Sequence, residues 1–237
     1  MLTSAPNPPD CAGKRIAMTS RDDRIQTHRA PPRLYLVTPE IAEPAGLSDL
    51  LGSALAAAEV AAVLLRPAAA DERTLVNRVK ALAPGVQDRG VALLLAGHAD
   101  IVARAGADGA HLSGIGEFQA ALNTLKPTRI AGCGELATRH DAMLAGEAGA
   151  DYVMFGEPDE DGRRPAFDAV LERIAWWAEI FEIPCIGFAA SFEEVRAIVD
   201  AGADFVAIGD LAFADARGCA AAVAQAAQLI AGAEAAA

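Results

Sequence analysis

The tetrapeptide Ala-Gly-Ala-Asp occurs three times, at 105–108, 148–151 and 201–204, each time ahead of a short apolar run. Those runs are 109–112, 152–156 and 205–209. The pattern predicts one structural joint used three times: a helix ends, Gly supplies the left-handed turn at no Cβ penalty, and a buried strand begins. The repeated glycines, Gly106, Gly149 and Gly202, are spaced for roughly two βα units per interval, at about 20–30 residues per unit. An array of parallel strands with covering helices satisfies this.

From Arg33 onward, eight strand-like runs follow: 34–38, 61–66, 91–95, 109–113, 129–133, 152–156, 184–188 and 205–209. Helical patterns separate them at about 47–59, 71–89, 98–105, 116–125, 138–148, 165–181, 191–201 and 216–231. Strands without polar alternation are buried on both faces, as in parallel sheets. Eight βα units predict an α/β fold of the (β/α)8 TIM-barrel type spanning 33–237, with a doubly wound open sheet as the rival. Residues 1–32 are rich in Pro, Arg and Asp and end in Ala30-Pro31-Pro32. They read as a disordered tail; a transit peptide is the weaker reading, since Asp10, Asp22 and Asp23 intrude.

The net charge of −12 argues against nucleic acid or an anionic membrane as partner, because both select basic surface. It leaves room for a small phosphorylated ligand, which needs only local positive charge. No apolar stretch approaches ~20 residues, so no membrane span is expected. Cys11, Cys133, Cys185 and Cys219 lack zinc spacing, and a reducing cytoplasm is the simplest setting. No HExxH, GxSxG or Walker pattern is present.

Barrel ligands bind where strands end. That selects Thr38, Arg66, Ala96 to His98, Ser113, Cys133 to Glu135, Glu157 to Arg164, Ala189 to Ser191, and Gly209-Asp210. The three repeated Asp residues fall at the other end and read as joint-builders. Arg66 closes a very apolar run, so its guanidinium meets either a ligand anion or a carboxylate from Glu40, Glu135 or Glu157. Arg163 and Arg164 either close over a phosphate or pair within their own charged loop. Ala189, Ala190, Ser191 and Gly209 follow strands seven and eight, where barrels often cradle phosphate on backbone N–H groups. Ser191 is equally explained as a helix cap with Glu194, and Asp210 would repel a phosphate unless a cation intervened. His98 and His111 read first as buried, hydrogen-bonded imidazoles, and Cys133 first as core. In the helix at 165–181, Phe167, Val170, Ile174, Trp177 and Phe181 form the barrel-facing stripe. Trp176 and Ile180 lie off it, covered by a neighbouring segment or by a second subunit.

Several of these segments carry a family resemblance. Leu34-Tyr35-Leu36-Val37-Thr38, Leu65-Arg66, Gly106 to Leu112, Gly149 to Gly156 and Ala201 to Asp204 together resemble thiamine phosphate synthases and the related TenI-type proteins, over about 33–229. The resemblance implies a barrel of thiamine biosynthesis. Such an enzyme joins hydroxymethylpyrimidine diphosphate to a thiazole phosphate and releases diphosphate with the help of Mg²⁺. It implies catalytic roles for Arg66 and Arg164. It implies phosphate contacts from Arg66, Cys133, Arg163, Arg164, Ala189, Ala190, Ser191, Gly209 and Asp210.

The chain departs from the family pattern at several strand ends. Gln-Leu-Arg-x-Lys reads Leu64-Leu65-Arg66-Pro67-Ala68, and Asn-Asp-Arg reads Ala96-Gly97-His98. Gly-Gln-x-Asp reads Ser113-Gly114-Ile115-Gly116, and the last-strand Ser is Asp210. The usual metal carboxylates are thus missing, with Asp159, Glu160 and Asp210 as replacement candidates. Beside the synthase stand two alternatives: a phosphate-ester-binding or regulatory barrel without catalysis, and an enzyme with another substrate.

Overall fold

A computed structural model describes residues 31–159 and 161–234. The expected tail falls, but for Pro31 and Pro32, outside the described residues, as does Glu160. Eight parallel strands close into a barrel in sequence order. They are β1 (Arg33–Ile41), β2 (Val60–Pro67), β3 (Ala92–Ala96), β4 (Gly109–Ser113), β5 (Ile130–Gly134), β6 (Tyr152–Phe155), β7 (Cys185–Ala189) and β8 (Phe205–Ile208). Around them run α1 (Ala45–Ala57), α2 (Glu72–Gln87), α3 (Val102–Ala105), α4 (Gly114–Leu125), α5 (Arg139–Glu147), α6 (Phe167–Ile180), α7 (Phe192–Asp200), α8 (Asp210–Phe213) and α9 (Cys219–Glu234). The segment expected as one helix at 98–105 is a 3₁₀ turn (Ala99–Ile101) leading into α3, and the short α8 had no sequence signal. No helix among the described residues is long and apolar enough to cross a membrane.

The repeated joint explains itself in atoms. Gly106, Gly149 and Gly202 have φ of 77°, 98° and 91°, which Cβ-bearing residues adopt at a penalty. The following alanine N–H closes back onto the helix, Ala107 to Val102, Ala150 to Ala145 and Ala203 to Ile198. Each Asp then grips the preceding strand twice. Its N–H donates to the carbonyl of Leu93, Ala131 or Cys185. Its carboxylate accepts the N–H of the same residue at 2.7, 2.7 and 2.8 Å. The motif thus fastens strand pairs at the base of the barrel, away from the strand ends.

Side chains divide by strand phase. Leu34, Leu36, Val63, Leu65, Cys133, Val153, Cys185, Ala189, Val206 and Ile208 point outward, into the layer packed under the helices. Tyr35, Val37, Ala62, Leu64, Leu94, Tyr152, Met154, Ile186, Phe188 and Ala207 point inward and fill the barrel. In α6, Val170, Ile174 and Trp177 are buried as the stripe requires, and Trp177 Nε1 donates to the Ile183 carbonyl at 2.7 Å. Trp176 packs edge-on to Phe181 beneath the Arg139 guanidinium, whereas Ile180 is 59% exposed.

Candidate functional site

The inward phase sets the site. Arg66 lies two residues beyond inward-facing Leu64, so it emerges into the barrel mouth. A cavity of about 220 Å³ opens there, with walls from Val37, Leu64, Ala96, Met154 and Phe188. Its polar rim carries Thr38, Arg66, Ser113, Glu135, Asp159 and Asp210, with His111 and Glu157 at the floor. Thr38 Oγ1 accepts the Arg66 backbone N–H at 3.1 Å, and the Arg66 guanidinium has no ion pair among the described residues. Of the two readings for Arg66, the carboxylate-paired one is therefore not what the structure has.

Glu157 starts the loop after β6. Its carboxylate accepts the N–H of Glu135, and Glu135 adopts φ of 49°, an unfavourable left-handed geometry for a residue with a Cβ. Burial pushes the Glu157 carboxyl above its ordinary range, opposed by the backbone N–H groups it accepts. Gly134 makes this packing fit, since a Cβ there would collide with Glu157 Oε1 and with the His111 ring. His111 is buried, and desolvation lowers it to about 4, so it is neutral at physiological pH.

The other expected site residues are placed as follows. Cys133 is fully buried on the outward face of β5, and burial pushes its thiol up to about 12. It is thus an inert core group rather than a ligand contact, because the inward positions of β5 are Gly132 and Gly134. Ala189 is outward and fully buried as well. Arg164 is committed to the protein: it donates to the Gly156 and Phe188 carbonyls at 2.8 and 2.9 Å and forks onto Glu194 at 2.9 and 3.3 Å. Glu194 also accepts the Ala190 N–H at 2.8 Å, while Ser191 Oγ accepts the Glu194 N–H. The cradle expected to hold phosphate after β7 is thus filled by an internal carboxylate with its own arginine. Arg163 is exposed and pairs with Asp161 at 2.7 Å. Gly209 and Asp210 do reach the cavity. A larger cleft of about 420 Å³ lies alongside, between Glu157, Arg163, Arg164 and Arg173. His98 stands outside the cavity in a left-handed turn with φ of 51°.

Reading strands by their ends selected Glu157 without its place at the floor, and missed Tyr35 and Tyr152 beneath it. The signal was available: Tyr35, His111 and Tyr152 are polar-capable residues on the same strand phase as Arg66. Mg²⁺ fits this donor set poorly. By the family resemblance, Gly97 and Gly116 align with the family's metal carboxylates, and no three His, Cys, Asp or Glu converge as metal ligands among the described residues. The carboxylate nearest the floor is already engaged with a backbone N–H.

The comparisons agree with the strand-by-strand likeness. The family model described as thiamine monophosphate synthase matches residues 34–211. The thiamine-phosphate synthase of Rhodospirillum centenum is 38% identical over 182 residues, covering 74% of this chain and 86% of the relative. That of Erythrobacter litoralis is 33% identical over 185 residues, covering 75% and 86%. Among solved structures, thiamine phosphate pyrophosphorylase from Pyrococcus furiosus superposes with a TM-score of 0.71 at 19% identity, over 85% of this chain and 96% of that one. At that identity the superposition speaks for the fold, whereas the sequence matches span most of the barrel; the chain belongs to the thiamine monophosphate synthase family.

Proposed function

We propose that the chain is a cytoplasmic transferase of thiamine biosynthesis, joining hydroxymethylpyrimidine diphosphate to a thiazole phosphate with release of diphosphate. The observation that carries this reading is Arg66: a guanidinium without an ion pair among the described residues, at the rim of an apolar-walled cavity, in a chain of this family. A diphosphate leaving group must be neutralised as it departs, and a planar donor fork in a partly dry mouth does this well. Val37, Leu64, Met154 and Phe188 supply the flat apolar walls that a heterocycle needs. Any Mg²⁺ would come with the diphosphate as part of the substrate, since no group of ligands among the described residues would hold it by itself. Incubating the purified chain with both substrates and Mg²⁺ should yield thiamine phosphate. Absence of product at high enzyme concentration would refute the reading.

A second reading has its own support. Glu194 fills the cradle after β7, and Gly97 and Gly116 stand where the family pattern has carboxylates. These favour a barrel that binds a phosphate ester without turning it over. Calorimetry with thiamine phosphate, the thiazole phosphate and the pyrimidine diphosphate separates the two: binding without product selects the second.

A further inference from the structure

Three buried polar side chains span the barrel core, and the reaction above uses none of them. Tyr35 Oη lies 2.9 Å from Tyr152 Oη, which lies 3.1 Å from His111 Nδ1. The imidazole stacks on the Tyr152 ring, with centroids 5.7 Å apart and planes 10° from parallel. Gly132 makes room for this arrangement, since a Cβ there would run into the Tyr152 ring. Exposure is 1% for Tyr35 and 6% for both Tyr152 and His111. All three groups are neutral: burial raises both phenols and lowers the imidazole.

Neutrality makes this a counting problem. Three groups carry one mobile proton each, with two contacts between them. The Tyr35 hydroxyl has one acceptor among the described residues, Tyr152 Oη. If it donates there, Tyr152 must donate onward to His111 Nδ1. Nδ1 is then the acceptor, and the imidazole proton sits on Nε2. The reverse direction would strand the Tyr35 proton as an unsatisfied buried donor. Nε2 has no hydrogen-bond partner among the described residues, yet it is not sealed away, because no fully buried side-chain nitrogen or oxygen among them lacks a partner. Its ring borders the mouth cavity. Glu157 Oε1 crowds the same point above Gly134, and a nearby acceptor also favours a proton on Nε2.

We propose that Tyr35 and Tyr152 are positioning residues that fix His111 as the Nε2–H tautomer, so that the cavity floor offers a neutral N–H to an acceptor atom of the ligand. That atom is an unprotonated ring nitrogen, or a hydroxyl or carbonyl oxygen; an ammonium finds no acceptor at Nε2. The tautomer claim stands apart from any activity. The ligand claim rests on the reading that a heterocycle occupies the mouth.

Long-range ¹H–¹⁵N spectra of the ligand-free full chain, labelled at histidine, test the tautomer. The His111 signals are assigned by their loss in His111→Asn. Between about pH 5 and 8 they should report a protonated Nε2 and a bare Nδ1. A protonated Nδ1 would overturn the proposal. Calorimetry with hydroxymethylpyrimidine tests the ligand half, with melting curves confirming that the variants fold. Tyr152→Phe should weaken affinity about fivefold, the worth of one hydrogen bond's orientation, and Tyr35→Phe less. Unchanged affinity in both variants, or no binding by the wild type, overturns the ligand half. A wild type that binds but makes no thiamine phosphate refutes the enzymatic reading alone.

Discussion

Replacing Asp108 by Ala tests whether the repeated Ala-Gly-Ala-Asp joint is scaffold rather than chemistry. The Asp108 carboxylate accepts the Leu93 N–H at 2.7 Å and a Gln87 Nε2 hydrogen at 2.9 Å. Leu93 is fully buried, so its N–H would be orphaned without that carboxylate, at about 1–3 kcal/mol. The half-buried Gln87 contact contributes about 0.5 kcal/mol more, partly retained because Gln87 also donates to the Gly106 carbonyl. The expected loss is about 1–3.5 kcal/mol, which lowers Tm by about 2–14 °C for a domain of this size. Asp108→Asn keeps an oxygen for the Leu93 N–H and should lose about half as much. Urea melts of the three proteins measure this, with the denaturant slope unchanged if only native contacts differ. Turnover or ligand affinity should stay within about twofold of wild type below the transition, since the joint lies at the opposite end of the strands from the cavity. Two results would refute the reasoning: an alanine variant as stable as wild type, or one that loses function while its melt is unaltered.

Further expectations follow from the floor and the filled cradle. Burial raises Glu157, so the folded chain holds that proton more tightly than the unfolded chain. Native stability from this group therefore rises as pH falls through its folded-state value and levels off below the unfolded one. Glu157→Gln keeps an acceptor for the Glu135 N–H and should match or exceed wild-type stability near pH 8, an advantage gone by about pH 4; a difference that does not vary with pH contradicts this. Gly134→Ala should abolish ligand binding measured by calorimetry, because its methyl enters the space of Glu157 Oε1 and the His111 ring; wild-type affinity in a folded variant counts against the assigned floor. Glu194→Ala should free the Ala190 N–H and the Arg164 fork, so added inorganic phosphate should raise the variant's Tm more than the wild type's. Equal shifts would show that Glu194 does not hold the cradle closed.

The barrel was legible because its signals are local and repeated. Each apolar run is bounded by a turn residue, and three joints share one tetrapeptide whose Gly, Ala and Asp each satisfy an identifiable backbone group. The site was legible only in part, because strand ends name positions without giving their phase. Cys133 and Ala189 stand at strand ends yet point under the helices, while Arg66 stands at one and points into the mouth. Phase could have been taken from the sequence by anchoring on Arg66: a charged group closing a parallel barrel strand is untenable on the helix side, so Leu64 and Ala62 face inward with it. The same argument applied to His111 places Gly109 and Ser113 inward.

What no such anchoring supplies is who partners whom across the barrel. Tyr35 and Tyr152 read as ordinary strand aromatics until closure brings their hydroxyls together at 2.9 Å, across 117 residues of chain. Arg164 read as a phosphate ligand until α7 delivered Glu194 to it. Both depend on long-range geometry, and both change the chemistry of the mouth. The first turns a core histidine into an oriented donor. The second withdraws a cation and a set of backbone N–H groups from the substrate, which concentrates anion recognition on Arg66. If Glu194 holds that cradle against phosphate, affinity should rest on the heterocycle and on Arg66 rather than on backbone N–H groups, and the phosphate and pyrimidine titrations weigh these against each other.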